Sequence, residues 1–432
     1  MVLLQSFKNI FLVPELRKRM LFTLGVLIIC RVGLFIPVVG VDVAALANMM
    51  KQASALGGLL RYFDVISGGG LTKSTLFALG IGPYISASIM MQMLGMAVPS
   101  LEQLNKEGDY GRRMINQYTR YLTVGLSVLW STGYATVLER NNFVLAPGWS
   151  FRILFIVSLT VGALFVMWLG EQISLHGIGN GSSVIIFSGI VARFPSYVRQ
   201  TIEFVQLGNL DTIVAIIILL VFIAICACIV FLERGERKIP VQYARRVVGH
   251  RVYGGQSTYI PLKINSAGVM PVIFAGTVLT VPMQIAQLFS DRFEFLSAII
   301  DPRNPIHMVV EFLLIMFFSF FFAAIVINPD ELAANMKKSG GFIPGIRPGR
   351  KTVEYFFYLL NRIGLVGAIY LAVLDLFPNI LNMLVRLPFY LGGTSLLICV
   401  GVALDLATQI ESYLVERRYE GFLTSGKMRG RR

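Results

Sequence analysis

Residues 63–96 read FDVISGGGLTKSTLFALGIGPYISASIMMQMLGM. Three consecutive glycines, Gly68, Gly69 and Gly70, precede a mostly apolar run that is itself interrupted by Gly80, Gly82 and Pro83. A helix that only fills space gains nothing from this. Glycine costs about 1 kcal/mol against alanine in a helix interior, and proline about 3 kcal/mol. In hydrocarbon, broken backbone survives only where protein or water satisfies the freed amide groups. The stretch therefore reads either as the wall of a cavity or path, or as a kinked bundle helix beside a flexible loop.

The rest of the chain fixes the solvent. Of 432 residues, 55% are hydrophobic and 14% charged, with a mean hydropathy of +0.70. This is the composition of a polytopic helical membrane protein. A membrane β-barrel would need short alternating segments of about 10 residues, whereas the apolar runs here are continuous. Ten spans are expected, near residues 20–36, 71–96, 118–138, 151–173, 182–198, 212–232, 266–289, 308–327, 355–377 and 391–414. The first follows Arg17, Lys18 and Arg19, has no small-residue cleavage site after it, and reads as a retained span. Cys30, Cys226, Cys228 and Cys399 all fall within apolar runs and read as small buried hydrophobes.

The net charge of +14 sits in the loops. Most of the 38 Lys and Arg residues lie before the first span, in the second-to-third, sixth-to-seventh and eighth-to-ninth loops, and in the tail. With an even span count, this bias puts both termini in the cytoplasm. Two blocks of five spans also permit an inverted repeat, because an odd block starts its copy on the opposite face.

No catalytic constellation is legible. His176, His250 and His307 lie at loops or span ends, and the interior acids, Asp375, Asp405 and Glu171, are scattered. No phosphate-binding GxxxxGK[ST] sequence is present, so an enzyme is not expected, and no cofactor or metal set is read. The long polar stretches are two basic loops, at 233–265 and 328–354, with no soluble domain expected. The first carries Arg234, Arg237, Lys238, Arg245, Arg246 and Arg251 with interleaved tyrosines; the second makes Gly/Pro turns around Arg347. Such loops suit a large acidic or phosphate-bearing partner. Isoleucines also recur at helix breaks or beside small residues: Ile81, Ile85, Ile186, Ile273 and Ile398. Each alone reads as core packing.

Eight stretches lift these features above separate readings: CRVGLFIPVVG (30–40), ISGGGLTKSTLFALGIGPYISASI (66–89), EGDYGRRMINQYTRY (107–121), MWLGEQISLHGIGNGSS (167–183), ERGERKIPVQYARR (233–246), QSTYIPLKINSAGVMPVIFA (256–275), NPDELAANMKKSGGFIPGIRPG (328–349) and PFYLGGTSLLI (388–398). In order and spacing they resemble the SecY family, the large subunit of the bacterial protein-conducting channel. The resemblance implies an all-α fold of ten transmembrane helices, in two pseudo-symmetric five-helix halves (1–211 and 212–432) clasped around an hourglass pore. It makes about 59–73 a re-entrant plug helix, with Phe63, Ile66, Ser67, Gly68, Gly69 and Gly70, and makes the chain from Leu76 onward the second span. The pore ring carried over is Ile81, Ile85, Ser182, Ile186, Ile273 and Ile398. Ser182 departs from the apolar residue usual in the family. Lateral-gate positions fall on Ser86, Ser88, Gln92, Phe274 and Thr277.

The resemblance also implies partners. These are the small membrane subunits SecE and SecG, the SecA ATPase or a translating ribosome docked on the two basic loops, signal sequences and unfolded polypeptides, and lipid at the gate. The expected activity is translocation of unfolded secretory proteins across the bacterial cytoplasmic membrane and lateral insertion of membrane proteins. A secondary transporter for a small solute shares the span count and broken helices. It would need a convergent polar site near the midplane and has no use for large docking loops.

Overall fold

The computed structural model describes residues 13–46, 64, 67–208, 210–243, 246–248, 251–253, 257–266, 268–276, 278–279, 304–385 and 392–425. Proline and the short polar side chains punctuate its helices. Proline lies in the first turn of α1 (Pro14–Gly33), α2 (Gly82–Ala97), α3 (Pro99–Lys106), α7 (Phe194–Gln206), α9 (Pro305–Val326) and α10 (Pro329–Lys338). There its missing N–H is one that no helix bonds internally. Asn180 caps α6 (Gly181–Val191) by accepting from the Ser182 amide, and Asp211 caps α8 (Thr212–Arg234) in the same way. The remaining helices are α4 (Asp109–Arg140), α5 (Trp149–His176), α11 (Arg350–Val385) and α12 (Gly393–Ser425).

Among the described residues, seven helices are long and apolar enough to cross a membrane. The bent pair α2–α3, turned by 103°, makes a possible eighth. The expected first span falls on α1, a helix that is not among these seven, and most of the expected seventh lies outside the described residues. The expected fifth is broken: α6 ends at Val191, and α7 restarts after Arg193 with Pro195 in its first turn.

Packing follows the logic of a bilayer, where close fit and hydrogen bonds, not expulsion of water, hold helices together. Helix α4 buries a ladder of hydroxyls. Thr123, Ser127 and Ser131 each donate to the carbonyl one turn back, at 2.7, 2.7 and 2.6 Å. This stripe of small residues satisfies its own polar atoms, and α4 packs against α2 and α5. Helix α5 comes close to the chain before α2 at Gly162, where a Cβ would lie 2.0 Å from the Leu76 carbonyl oxygen. The cysteines differ from expectation. Cys30 is buried and Cys226 and Cys399 half-buried, but Cys228 of α8 is exposed.

The two basic loops are not structureless. Strands β1 (Glu236–Tyr243), β4 (Ser257–Lys263) and β5 (Gly341–Phe342) form an antiparallel sheet in the order β4-β1-β5, with Ile239 opposite Ile260 and Gln242 opposite Phe342. Strands β2 (Arg246–Val248) and β3 (Arg251–Tyr253) make a separate hairpin. Ile239, Val241 and Leu262 point into a core with Ala333 and Met336 of α10, Ile343, and Phe356 of α11. Two basic loops that are far apart in sequence therefore meet in the fold. They are one small sheet-and-helix unit with its own core.

Candidate functional site

Residues 71–81, expected inside the second span, are not helical; the helix begins at Gly82. Gly80 adopts a left-handed φ of +56°, and Pro83 suits a helix start and not an interior. The freed backbone groups find partners in protein. The Val38 amide donates to the Ser74 carbonyl at 2.9 Å, and the Leu76 amide to the Ile36 carbonyl at 2.9 Å. The Thr75 amide donates to the Gly70 carbonyl at 3.0 Å, and the Tyr134 hydroxyl to the Leu71 carbonyl at 2.8 Å. This is the satisfaction that broken backbone needs inside a bilayer.

The segment just before it is held by charge. Asp64, 2% exposed, forms an ion pair with Arg193 at the break between α6 and α7. Its Oδ1 also accepts from the Thr72 amide at 2.9 Å and the Thr72 hydroxyl at 3.2 Å. Arg31 of α1 donates to the Gly68 carbonyl at 3.4 Å and to the Ser188 carbonyl of α6. Gly68 and Gly69 have φ of +74° and +103°. A Cβ on Gly69 would lie 2.9 Å from Arg193 Nη2. The glycines therefore let the backbone turn against two arginines. Asp64, Arg193 and Arg31 were not singled out from sequence. Phe63 and Ile66 lie outside the described residues, while Ser67 donates to the Asp64 carbonyl at 3.3 Å.

Next to this segment the structure brings the five isoleucines together. Ile81, Ile186 and Ile398 are buried in one apolar cluster, and Ile85 and Ile273 pack against it. They come from the start of α2, from α6, from α12 and from the helical turn at 270–276. Ser182 lies in the first turn of α6, and its hydroxyl donates to the capping Asn180 Oδ1 at 2.7 Å. Ile190, one turn beyond Ile186 and 1% exposed, also belongs to the apolar cluster.

The expected gate positions divide between α2 and the 270–276 turn. Ser86 is buried, Ser88 half-buried and Gln92 exposed; Thr277 lies outside the described residues. Phe274 is fully buried, with its ring 4.3 Å from that of Phe322 on α9 in an edge-to-face contact. Ile89 of α2 shares its cluster with Val272, Phe274 and Ala275, so the two segments meet through apolar packing.

On the sheet unit, Arg234, Arg237 and Lys238 are exposed, and Lys238 Nζ lies over the Tyr259 ring at 4.8 Å. Arg246 and Arg251 sit in the β2–β3 hairpin, and Arg245 lies outside the described residues. Arg347 is exposed on a turn pinned from below, where the buried Thr352 hydroxyl donates to the Arg347 carbonyl at 3.0 Å. Pairing of β1 with β5 joins this turn to the first basic loop.

The family model that matches this chain, described as SecY, covers residues 75–407. The chain belongs to the SecY family. It is 43% identical to the protein translocase subunit SecY of Escherichia coli K12 over 425 residues, which span 96% of each chain. It is 40% identical to that of Thermotoga maritima, over 99% of this chain and 100% of the relative. Its fold is similar to a solved protein-conducting channel, with a TM-score of 0.65 and 17% identity across 93% of both chains. SecY is a channel-subunit family and not one of catalysts, and a small-solute carrier finds no support among these relatives. The chain is a multi-pass membrane protein.

Proposed function

We propose that this SecY-family chain is the pore-forming subunit of a bacterial protein translocation channel, passing unfolded secretory proteins across the cytoplasmic membrane and releasing apolar segments sideways into lipid. One observation carries the reading. Five isoleucines from four separate segments converge in a single apolar cluster, next to a segment pinned by an ion pair. A dry constriction of branched side chains excludes ions by dewetting, and it offers a passing peptide no fixed hydrogen bonds. In this reading Ile81, Ile85, Ile186, Ile273 and Ile398 form the pore ring, and Ile190, in the same apolar cluster, is proposed beside Ser182 for its sixth position.

Residues 59–73 act as the plug, held in the idle state by Asp64–Arg193 and by Arg31. Helix α2 and the segment from 266 are the two walls of the lateral gate, and the halves divide near residue 211. Both termini face the cytoplasm, as does the sheet unit. That unit presents Arg237, Lys238 and Arg347 to SecA or to ribosomal RNA, whose phosphates suit exposed arginine. Small SecE- and SecG-type subunits cover part of the lipid-facing surface. Reconstitution into vesicles with a fluorescent precursor, a SecA-type ATPase and ATP tests the reading. Protected precursor is expected; uptake of small solutes without precursor transport would refute it.

A further inference from the structure

Between Gly68 and Gly80 the backbone enters the left-handed region at Gly68, Gly69, Ser74 and Gly80, with φ of +74°, +103°, +46° and +56°. Glycine adopts that conformation freely because it has no Cβ. Ser74 is the exception among these positions. Its neighbours hold it there. The Ser74 amide donates to the Leu71 carbonyl at 3.1 Å, and the Ser74 carbonyl accepts from the Val38 amide at 2.9 Å. On one side, the Leu71 carbonyl also accepts from the Tyr134 hydroxyl of α4 at 2.8 Å. On the other, Thr75 forms a β-bridge with Pro37, and its amide and hydroxyl both donate to the Gly70 carbonyl, at 3.0 and 3.3 Å. Ser74 and Thr75 are both fully buried.

A left-handed backbone disfavours a residue that carries a Cβ by a factor of roughly five to thirty. Such strain persists only where the surroundings over-determine it. Here the surroundings are the hydrogen bonds with residues 36–38 and with α4, which close the turn at residues 70–75. The turn joins two parts of the site. Before it come Asp64 and Gly68, held by Arg193 and Arg31. After it comes the start of α2, which carries Ile81 and Ile85 into the apolar cluster.

We propose that Ser74 is a conformational spring. Its left-handed backbone destabilises the closed 70–75 turn, so the segment that carries Asp64 sits in a poised state and is released more readily than a glycine at position 74 would allow. The strain is relieved when the turn opens, because Ser74 is then free to leave the left-handed region. Glycine at this position removes the strain but also adds chain freedom to the opened turn, which returns a factor of roughly two to five. The net expectation is a turn about fivefold harder to open with glycine than with a residue that keeps its Cβ. The spring itself stands without the channel reading; its part in resting closure rests on the plug assignment of residues 59–73.

Two variants of the full chain in its membrane complex test it. Ser74→Gly frees the backbone, and Ser74→Ala removes the hydroxyl while keeping the Cβ, so their difference isolates the strain. Neither adds an atom to the buried site. Hydrogen–deuterium exchange of the peptide covering residues 71–76, corrected for intrinsic rates, reports opening of the turn. Exchange is expected to be about fivefold slower in Ser74→Gly than in Ser74→Ala. Equal exchange in the two variants, or faster exchange with glycine, overturns the proposal. Resting ion conductance is then compared in the Asp64→Ala background, where the closed state is weakened, and is expected to fall with Ser74→Gly against Ser74→Ala. Slower exchange with unchanged conductance supports the spring and counts against the plug assignment alone.

Discussion

Replacing Asp64 with alanine is the sharpest perturbation of the proposed closed state. Asp64 is 2% exposed and meets three donors: the Arg193 guanidinium, the Thr72 amide and the Thr72 hydroxyl. Its removal leaves Arg193, whose side chain is only 19% exposed, without its carboxylate. Truncating one partner of a buried ion pair costs about 3–5 kcal/mol, because the other charge stays buried and unpaired. Partial exposure lets water reach the guanidinium, so the lower end, about 3 kcal/mol, applies. If the pair exists only while the plug is seated, the whole cost falls on the closed state. At about 1.4 kcal/mol per factor of ten, the open-to-closed ratio rises roughly a hundredfold.

The assay is resting ion conductance of the reconstituted complex in a planar bilayer with no precursor present. Asp64→Ala is expected to conduct far more than wild type. The double variant with Arg193→Ala should fall between them, because it removes the stranded charge along with the pair. A single variant that transports precursor and yet leaks no more than wild type would refute the argument, since the pair would then contribute equally to the open and closed states.

Four further outcomes follow from the same geometry. Deleting residues 59–70 should raise resting conductance at least as much as Asp64→Ala, and an unchanged conductance would remove the plug assignment. Ile190→Asn should leak ions while Ser182→Ala should not, and the reverse result would return the sixth ring position to Ser182. Arg347→Glu should stop ATP-driven export with the unfolding temperature unchanged, because the exposed side chain carries no packing; normal export would sink the docking assignment. Gly162→Ala should destabilise the chain by about 1–3 kcal/mol, the usual cost of overpacking, since its Cβ would meet the Leu76 carbonyl oxygen at 2.0 Å; an unshifted thermal unfolding curve would contradict that close approach.

Much of this was written in composition and punctuation. Hydropathy fixed the solvent, and the glycines and Pro83 marked the second span as broken. The break fell later than the sequence implied, because the turns at 71–81 are stabilised by carbonyls and amides of residues 36–38. Nothing in the local sequence names such partners. The sheet was legible in part: KIPVQY and TYIPLK are rich in the β-branched and aromatic residues that favour strands, but a basic loop between spans invites reading by charge alone. Ser182 was legible as a departure from an apolar ring, whereas its hydrogen bond to Asn180 at the helix start was not.

What stayed hidden has a common physical cause. Asp64 and Arg193 are 129 residues apart. Each reads locally as an isolated, expensive charge in an apolar protein. A charge in such surroundings is tolerable only with a partner, and the partner's identity is a property of the fold. In the proposed plug reading, Asp64–Arg193 bridges a segment that leaves its seat when the channel opens, so its Coulomb energy is lost and regained on every cycle. An ion pair suits such a joint because water can re-solvate both ends when it breaks.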